Sequence, residues 1–213
     1  MLAWIYKSTT KYHRYALILI GLSPLERLFY LGIQDQLSAN PIEFITRSTG
    51  TWALVFLCLT LSITPLIKIT GLANLIAYRR ILGLYVFFYA FLHFIIWFLL
   101  DQNLNLDAML KDVFKRPFIT MGFLSFTLLW PLAITSNRLS MHLLKRRWTQ
   151  LHRLIYLISM TVLMHYFWHK SGKHDYFTVS IYAVIILSLL LFRVWWSIKN
   201  SSKRNKKIVP LAF

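Results

Sequence analysis

Six apolar segments, each long enough to cross a bilayer as a helix, occupy this 213-residue chain and dictate an integral membrane fold. They fall at roughly 14–33, 51–69, 81–100, 118–135, 151–169 and 177–198. About 20 apolar residues suffice, because a rise of about 1.5 Å per residue then covers the hydrocarbon core. The segments consume more than half the chain and leave little for a soluble domain. With 57% hydrophobic residues against 15% charged, the chain lacks the polar surface that a soluble core would need. The expected fold is all-α: one integral membrane six-helix bundle over 1–213, ending in a basic, frayed tail at 199–213. Connections are mostly short, so sequential helices should be antiparallel neighbours. No internal repeat is evident.

The net charge of +17 becomes a topology signal once it is mapped. Lys7, Lys11 and Arg14 precede the first span, and Lys68, Arg79 and Arg80 flank the second loop. Arg138, Lys145, Arg146 and Arg147 lie in the fourth loop, and Lys199, Lys203, Arg204, Lys206 and Lys207 in the tail. A six-span topology puts all of these on one side. The acids Asp35, Glu43, Asp101, Asp107, Asp112 and Asp175 fall on the other. The positive-inside rule then places both termini in the cytoplasm, with anionic membrane lipids as the nearest partners of the basic loops. No nucleic-acid recognition motif accompanies the charge, so no nucleic acid is expected.

Other features are plainer. No cleavable signal peptide precedes the first span, which should insert uncleaved. Cys58 is the single cysteine, mid-span, and reads as a small buried hydrophobe. Pro65 and Pro131 sit near span ends, whereas Pro24, Glu26 and Arg27 interrupt span one. The loop from Asp101 to Arg116 mixes acids and bases and could meet a periplasmic partner.

Ionisable side chains inside a bilayer are expensive, so histidines on facing spans read as functional. His93 lies about two-thirds of the way out along span three. His152 opens span five at the cytoplasmic side, and His165 follows thirteen residues later, about 20 Å further out. His93 and His165 therefore reach similar depth on parallel helices, where a haem could take one axial imidazole from each. At the inner level His152 is the candidate ligand of a second cofactor, with Arg79 or Arg80 as propionate partner or unusual axial contact. Thirteen residues do not return to the same helix face, so tilt, a kink or a lateral offset must absorb the difference. A packed, hydrogen-bonded core histidine is the plainer reading of His93 and His165, and an interfacial cap that of His152. His169, one turn above His165, is a reserve ligand; His13, His142 and His174 read as solvated. Aromatic residues around His93 could wall a porphyrin or face lipid. No HExxH and no paired in-span carboxylates are present, which argues against a metal hydrolase.

Four ordered motifs carry a resemblance. They are Thr49-Gly50-Thr51-Trp52 with Thr64-Pro65-Leu66; Arg79-Arg80-Ile81-Leu82-Gly83-Leu84 leading to His93; Arg116-Pro117-Phe118-Ile119-Thr120-Met121-Gly122; and Trp148-Thr149-Gln150-Leu151-His152-Arg153-Leu154-Ile155-Tyr156 followed by His165. Over most of its length the chain resembles the haem-binding membrane subunits of bacterial periplasmic methionine sulfoxide reductase systems. More distantly it is similar to ferric reductase and NADPH oxidase transmembrane domains. Those carry four histidines on two helices, and Arg79 stands here where the fourth would fall. The resemblance implies an electron-transfer subunit of the bacterial inner membrane that is not itself catalytic. It further implies one or two b-type haems, an association with FMN, and a periplasmic molybdopterin-containing reductase subunit as electron acceptor. No Rossmann glycine fingerprint or nicotinamide domain follows span six, so a separate cytoplasmic flavin reductase would supply electrons. The rivals are a membrane ferric or other metal reductase, a non-redox transporter and a structural anchor.

Overall fold

The computed structural model describes residues 2–172 and 175–208, with side chains for 12–172 and 175–200. His174 and residues 209–213 of the tail lie outside the described residues. Among the described residues the chain is helical with no strand. Five long helices are α1 (Leu2–Ile33), α2 (Pro41–Thr70), α3 (Ile76–Ile96), α5 (Pro117–Ile134) and α9 (Tyr176–Ile208). The others are α4 (Leu106–Lys115), α6 (Arg138–Leu144), α7 (Arg146–Leu151) and α8 (Leu154–Ser171), which is as long as α5. By length and apolarity, five helices could cross a membrane: α1, α2, α3 with its flanking turns, α5 and α9. The segment expected as a fifth span is α8, whose 18 residues include His165, His169 and Lys170.

Local chemistry sets the helix ends. α2 begins ten residues before its apolar run, because Asn40 caps it by accepting from Glu43 N and Pro41 fits the first turn. It stops at Gly71, whose φ of 74° is a left-handed cap that suits glycine. Lys145, at φ 47°, separates α6 from α7. Asn105 caps α4 through Ala108 N, and α4 occupies most of the loop expected at 101–116.

Two helical hairpins form the centre: α2 against α3, and α5 against α8, with α9 across α2 and α8. Their shared core contains Leu57, Leu61, Tyr89, Ile158 and Ile186, all nearly inaccessible. α1 leans on α3, tied by Tyr85 Oη donating to Ile18 O (2.6 Å) and Tyr89 Oη donating to Gly21 O (2.8 Å).

The prolines are accommodated rather than disruptive. α1 runs unbroken through Pro24, with Glu26 and Arg27 exposed on its outer surface, so the expected interruption of span one does not occur. Pro24 cannot donate to Ile20 O, and Ser23 Oγ donates there instead (2.8 Å). Pro65 likewise frees Leu61 O, which accepts from Arg193 Nη2 of α9 (2.7 Å). A missing helix bond thus becomes a tie between two helices.

Candidate functional site

The site begins with two backbone carbonyls. Thr46 O in α2 lies 2.8 Å from His93 Nδ1, and Phe118 O in α5 lies 2.6 Å from His165 Nδ1. A carbonyl can only accept, so each Nδ1 must carry the proton and donate it. Each Nε2 is then left with its lone pair. That is the tautomer a metal-ligating histidine needs.

Glycine makes the approach possible. A helical carbonyl points toward the residue four places on, and those residues are Gly50 and Gly122. A Cβ at Gly50 would stand 3.0 Å from the His93 ring, and one at Gly122 would stand 2.7 Å from His165 Nδ1. Any other residue would press on the imidazole and shield the carbonyl it bonds.

The two arrangements are copies. His93 follows Thr46 by 47 residues, and His165 follows Phe118 by 47. Gly50 and Gly122 hold the same places in the two hairpins. Core positions match too: Leu54 and Phe126, Leu57 and Leu129, Val86 and Ile158, Tyr89 and Thr161 are buried in pairs. The hairpins are therefore a structural repeat, which the sequence reading did not detect. Side-chain identity has diverged at most positions, but the histidine, the glycine and the core pair Leu57 and Leu129 are retained.

The copies bring His93 and His165 together at one depth, with ring centroids 6.1 Å apart and planes at 80°. Both line a cavity of about 280 Å3 between the hairpins, walled by Leu54, Leu57, Val86, Phe94 and Phe126. Arg47, His169 and Lys170 stand at its acidic-loop end. Arg47 pairs with Glu43 (3.3 Å), and Lys170 with Asp175. Lys170 and then Thr178 hold the Asp175 carboxyl below the usual carboxylate range.

The donor set discriminates between metals. Among the described residues no three of His, Cys, Asp and Glu converge, so no bare-ion centre is built. Two opposed imidazoles suit an iron whose other four ligands come from a porphyrin. A metal–imidazole bond is about 2 Å. Two such bonds plus half a ring on each side fill the observed centroid separation.

The inner candidates separate. His152 closes α7, its ring stacked on Trp148 at 3.9 Å, with Nδ1 3.1 Å from Trp148 O. Its Nε2 is buried with no hydrogen-bond partner among the described residues. Arg79 is half-buried and turned toward α8 and α9, whereas Arg80 is exposed. His13 and His142 are exposed, as expected of solvated residues. His169 lies beside His165, with rings 6.4 Å apart, and lines the same cavity. Thr46, Gly50, Phe118 and Gly122 were not singled out as site residues by sequence reasoning. The available signal was a glycine inside each apolar helix, which costs stability unless something must pass close by.

The chain is a ferric reductase-like transmembrane protein: residues 49–164, more than half of its length, match the ferric reductase like transmembrane component family. A protein-methionine-sulfoxide reductase heme-binding subunit MsrQ from Ralstonia nicotianae is 54% identical over 184 residues, 86% of this chain and 85% of the relative. MsrQ proteins from Herminiimonas arsenicoxydans and Bordetella pertussis are 50% and 46% identical, over 89% and 88% of this chain and 87% and 92% of theirs. The chain belongs to the MsrQ family of ferric reductase-like membrane proteins. No solved structure matches it.

Proposed function

We propose that this chain carries electrons across the bacterial inner membrane through b-type haem. The acceptor is a periplasmic molybdopterin-containing methionine sulfoxide reductase subunit that repairs oxidised proteins. The observation that carries the reading is the pair of neighbouring imidazoles, His93 and His165, each held at Nδ1 by a backbone carbonyl so that the lone pair falls on Nε2. The names of the relatives, heme-binding subunits of protein-methionine-sulfoxide reductase, support the same cofactor.

Haem, which His93 and His165 would hold, would supply one-electron chemistry. The protein's own contribution is positional. Thr46 and Phe118 fix the ring orientation, Gly50 and Gly122 provide the approach, and the apolar wall excludes water. The inner site takes His152, whose buried Nε2 lacks a hydrogen-bond partner among the described residues, with Arg79 as the half-buried cation. Arg80 is the weaker inner candidate, because solvent screens an exposed guanidinium. A cation near the inner haem favours the less positive, reduced iron and raises its potential.

The topology follows the charges. α8 is the fifth of six spans, sheltered between α5 and α9, and both termini are cytoplasmic. The donor is a cytoplasmic flavin reductase. FMN enters through the family resemblance alone, with no residue set assigned to it.

The test is a reduced-minus-oxidised visible spectrum of the detergent-purified protein beside His93→Ala and His165→Ala. A b-type haem signal in the intact protein, lost or strongly reduced in either variant, is expected. Colourless intact protein after expression with ample haem would overturn the reading.

A further inference from the structure

A second cavity, about 640 Å3, opens at the basic-loop end of the bundle between α2, α3, α8 and α9. It shares no lining residue with the His93–His165 cavity. Lys68, Arg79 and Arg193 line it, and no carboxylate does. Gathering three cations in a partly desolvated place is unfavourable unless an anion sits among them.

The cations are held in place by other groups. Arg193 donates from Nη2 to Leu61 O (2.7 Å) and from Nη1 to Tyr156 Oη (3.3 Å), with its guanidinium 5.6 Å from the Tyr156 ring. Lys68 Nζ lies 5.7 Å over the Trp196 ring. Two donors on the wall of this cavity remain unspent. Arg193 Nε and Trp196 Nε1 are buried and have no hydrogen-bond partner among the described residues. Leaving a buried N–H unmade is costly, and two beside one cavity ask for one acceptor with several oxygens. Phosphate has the charge and the oxygens, and guanidinium matches it in geometry.

We infer that the cavity bounded by Lys68, Arg79, Arg193 and Trp196 binds a phosphate group. The neighbouring Trp195, with Lys199 Nζ 4.6 Å over its ring, makes this part of α9 an aromatic-cationic belt at headgroup depth. The phosphate can belong to an anionic phospholipid or to a free solute, since both present the same group. Only Arg79 is common to this site and to the proposed inner haem site, so the test rests on Lys68 and Trp196.

The full-length protein in detergent would be titrated with phosphatidylglycerol, phosphatidylcholine and inorganic phosphate, and bound species counted by native mass spectrometry. Lys68→Gln should weaken binding about fivefold, the loss of one cation near a headgroup. Trp196→Phe, which keeps the ring and removes the N–H, should weaken it about threefold. Lys68→Arg should restore it. Binding of phosphatidylglycerol alone, sensitive to both substitutions, assigns a lipid headgroup. Binding of inorganic phosphate with the same sensitivities assigns a soluble phosphate. Binding unchanged in both variants, or none by any probe, overturns the inference. The outer haem signal, recorded on the same samples, reports folding, and it should be unchanged whichever way the phosphate result falls. A phosphate site in colourless protein would sink the electron-conduit reading and leave this one standing.

Discussion

At the acidic-loop end of the bundle the two hairpins carry the same equipment: a histidine, a carbonyl 47 residues before it, and a glycine one turn beyond that carbonyl. At the basic-loop end they carry different equipment. One hairpin offers the half-buried Arg79, and the other offers His152 stacked on Trp148. The matched end is suited to holding one flat cofactor from both sides. The unmatched end combines one imidazole with cations, which suits tuning a potential or gathering anions. The two hairpins share one scaffold, and the residues that differ at one end give the two ends different chemistry.

Six substitutions would break or sharpen that contrast. The largest effect is expected at the glycines. Gly122→Ala puts a Cβ 2.7 Å from His165 Nδ1, on a helix backbone that cannot easily yield. Haem affinity should fall about 10- to 100-fold, as for other losses of a ligand's supporting contact. Gly50→Ala, at 3.0 Å, should do the same more weakly. Haem titration of both apoproteins measures this, and equal wild-type affinity in both would remove the glycines from the site.

His152→Ala comes next. It should abolish an inner haem while leaving the outer spectrum intact, so pyridine haemochrome should show roughly half the iron if two haems are present. Unchanged haem content would withdraw His152 as a ligand. Arg79→Gln should lower the potential of the inner centre, whereas Arg80→Gln should leave it in place, because Arg80 is exposed. A potentiometric titration giving equal shifts for the two arginines would contradict the assignment.

The smallest effect concerns Asp175. Its pKa is depressed by Lys170 and Thr178, so the ion pair contributes above the unfolded carboxylate pKa. The contribution is lost as pH falls through the lower, folded pKa. The wild type should therefore lose a little thermal stability on acidification that Asp175→Asn never had. Parallel pH curves for the two proteins would show that the pair is thermodynamically silent.

Much of this was legible in the sequence. Hydropathy located α1, α2, α3, α5 and α9 because long apolar runs have few alternatives in a membrane protein. Depth counting at a fixed rise per residue brought His93 and His165 to one level, and the structure brings them together. The hairpin repeat was not legible, since apolar residues replace one another freely in a core and erase identity while keeping burial. Tyr89 and Thr161 are equivalent by position and unlike in every other respect. The roles of Thr46 and Phe118 were invisible for a different reason: their carbonyls do the bonding, and every residue has one. Arg193 was missed because its partner, Leu61 O, becomes available only through Pro65 four residues on.

Anchoring an imidazole to main chain has a consequence for how such a protein can change over time. Thr46 and Phe118 can be replaced by almost any helix-compatible residue without touching the bond, because the acceptor stays in the backbone. Drift at Thr46 and Phe118 is therefore tolerated, with the sensitivity of the ligand geometry resting on Gly50 and Gly122. A lineage could change the side chains at those two positions, adapting to new lipids or a new partner, and hand on the same ligand geometry unaltered.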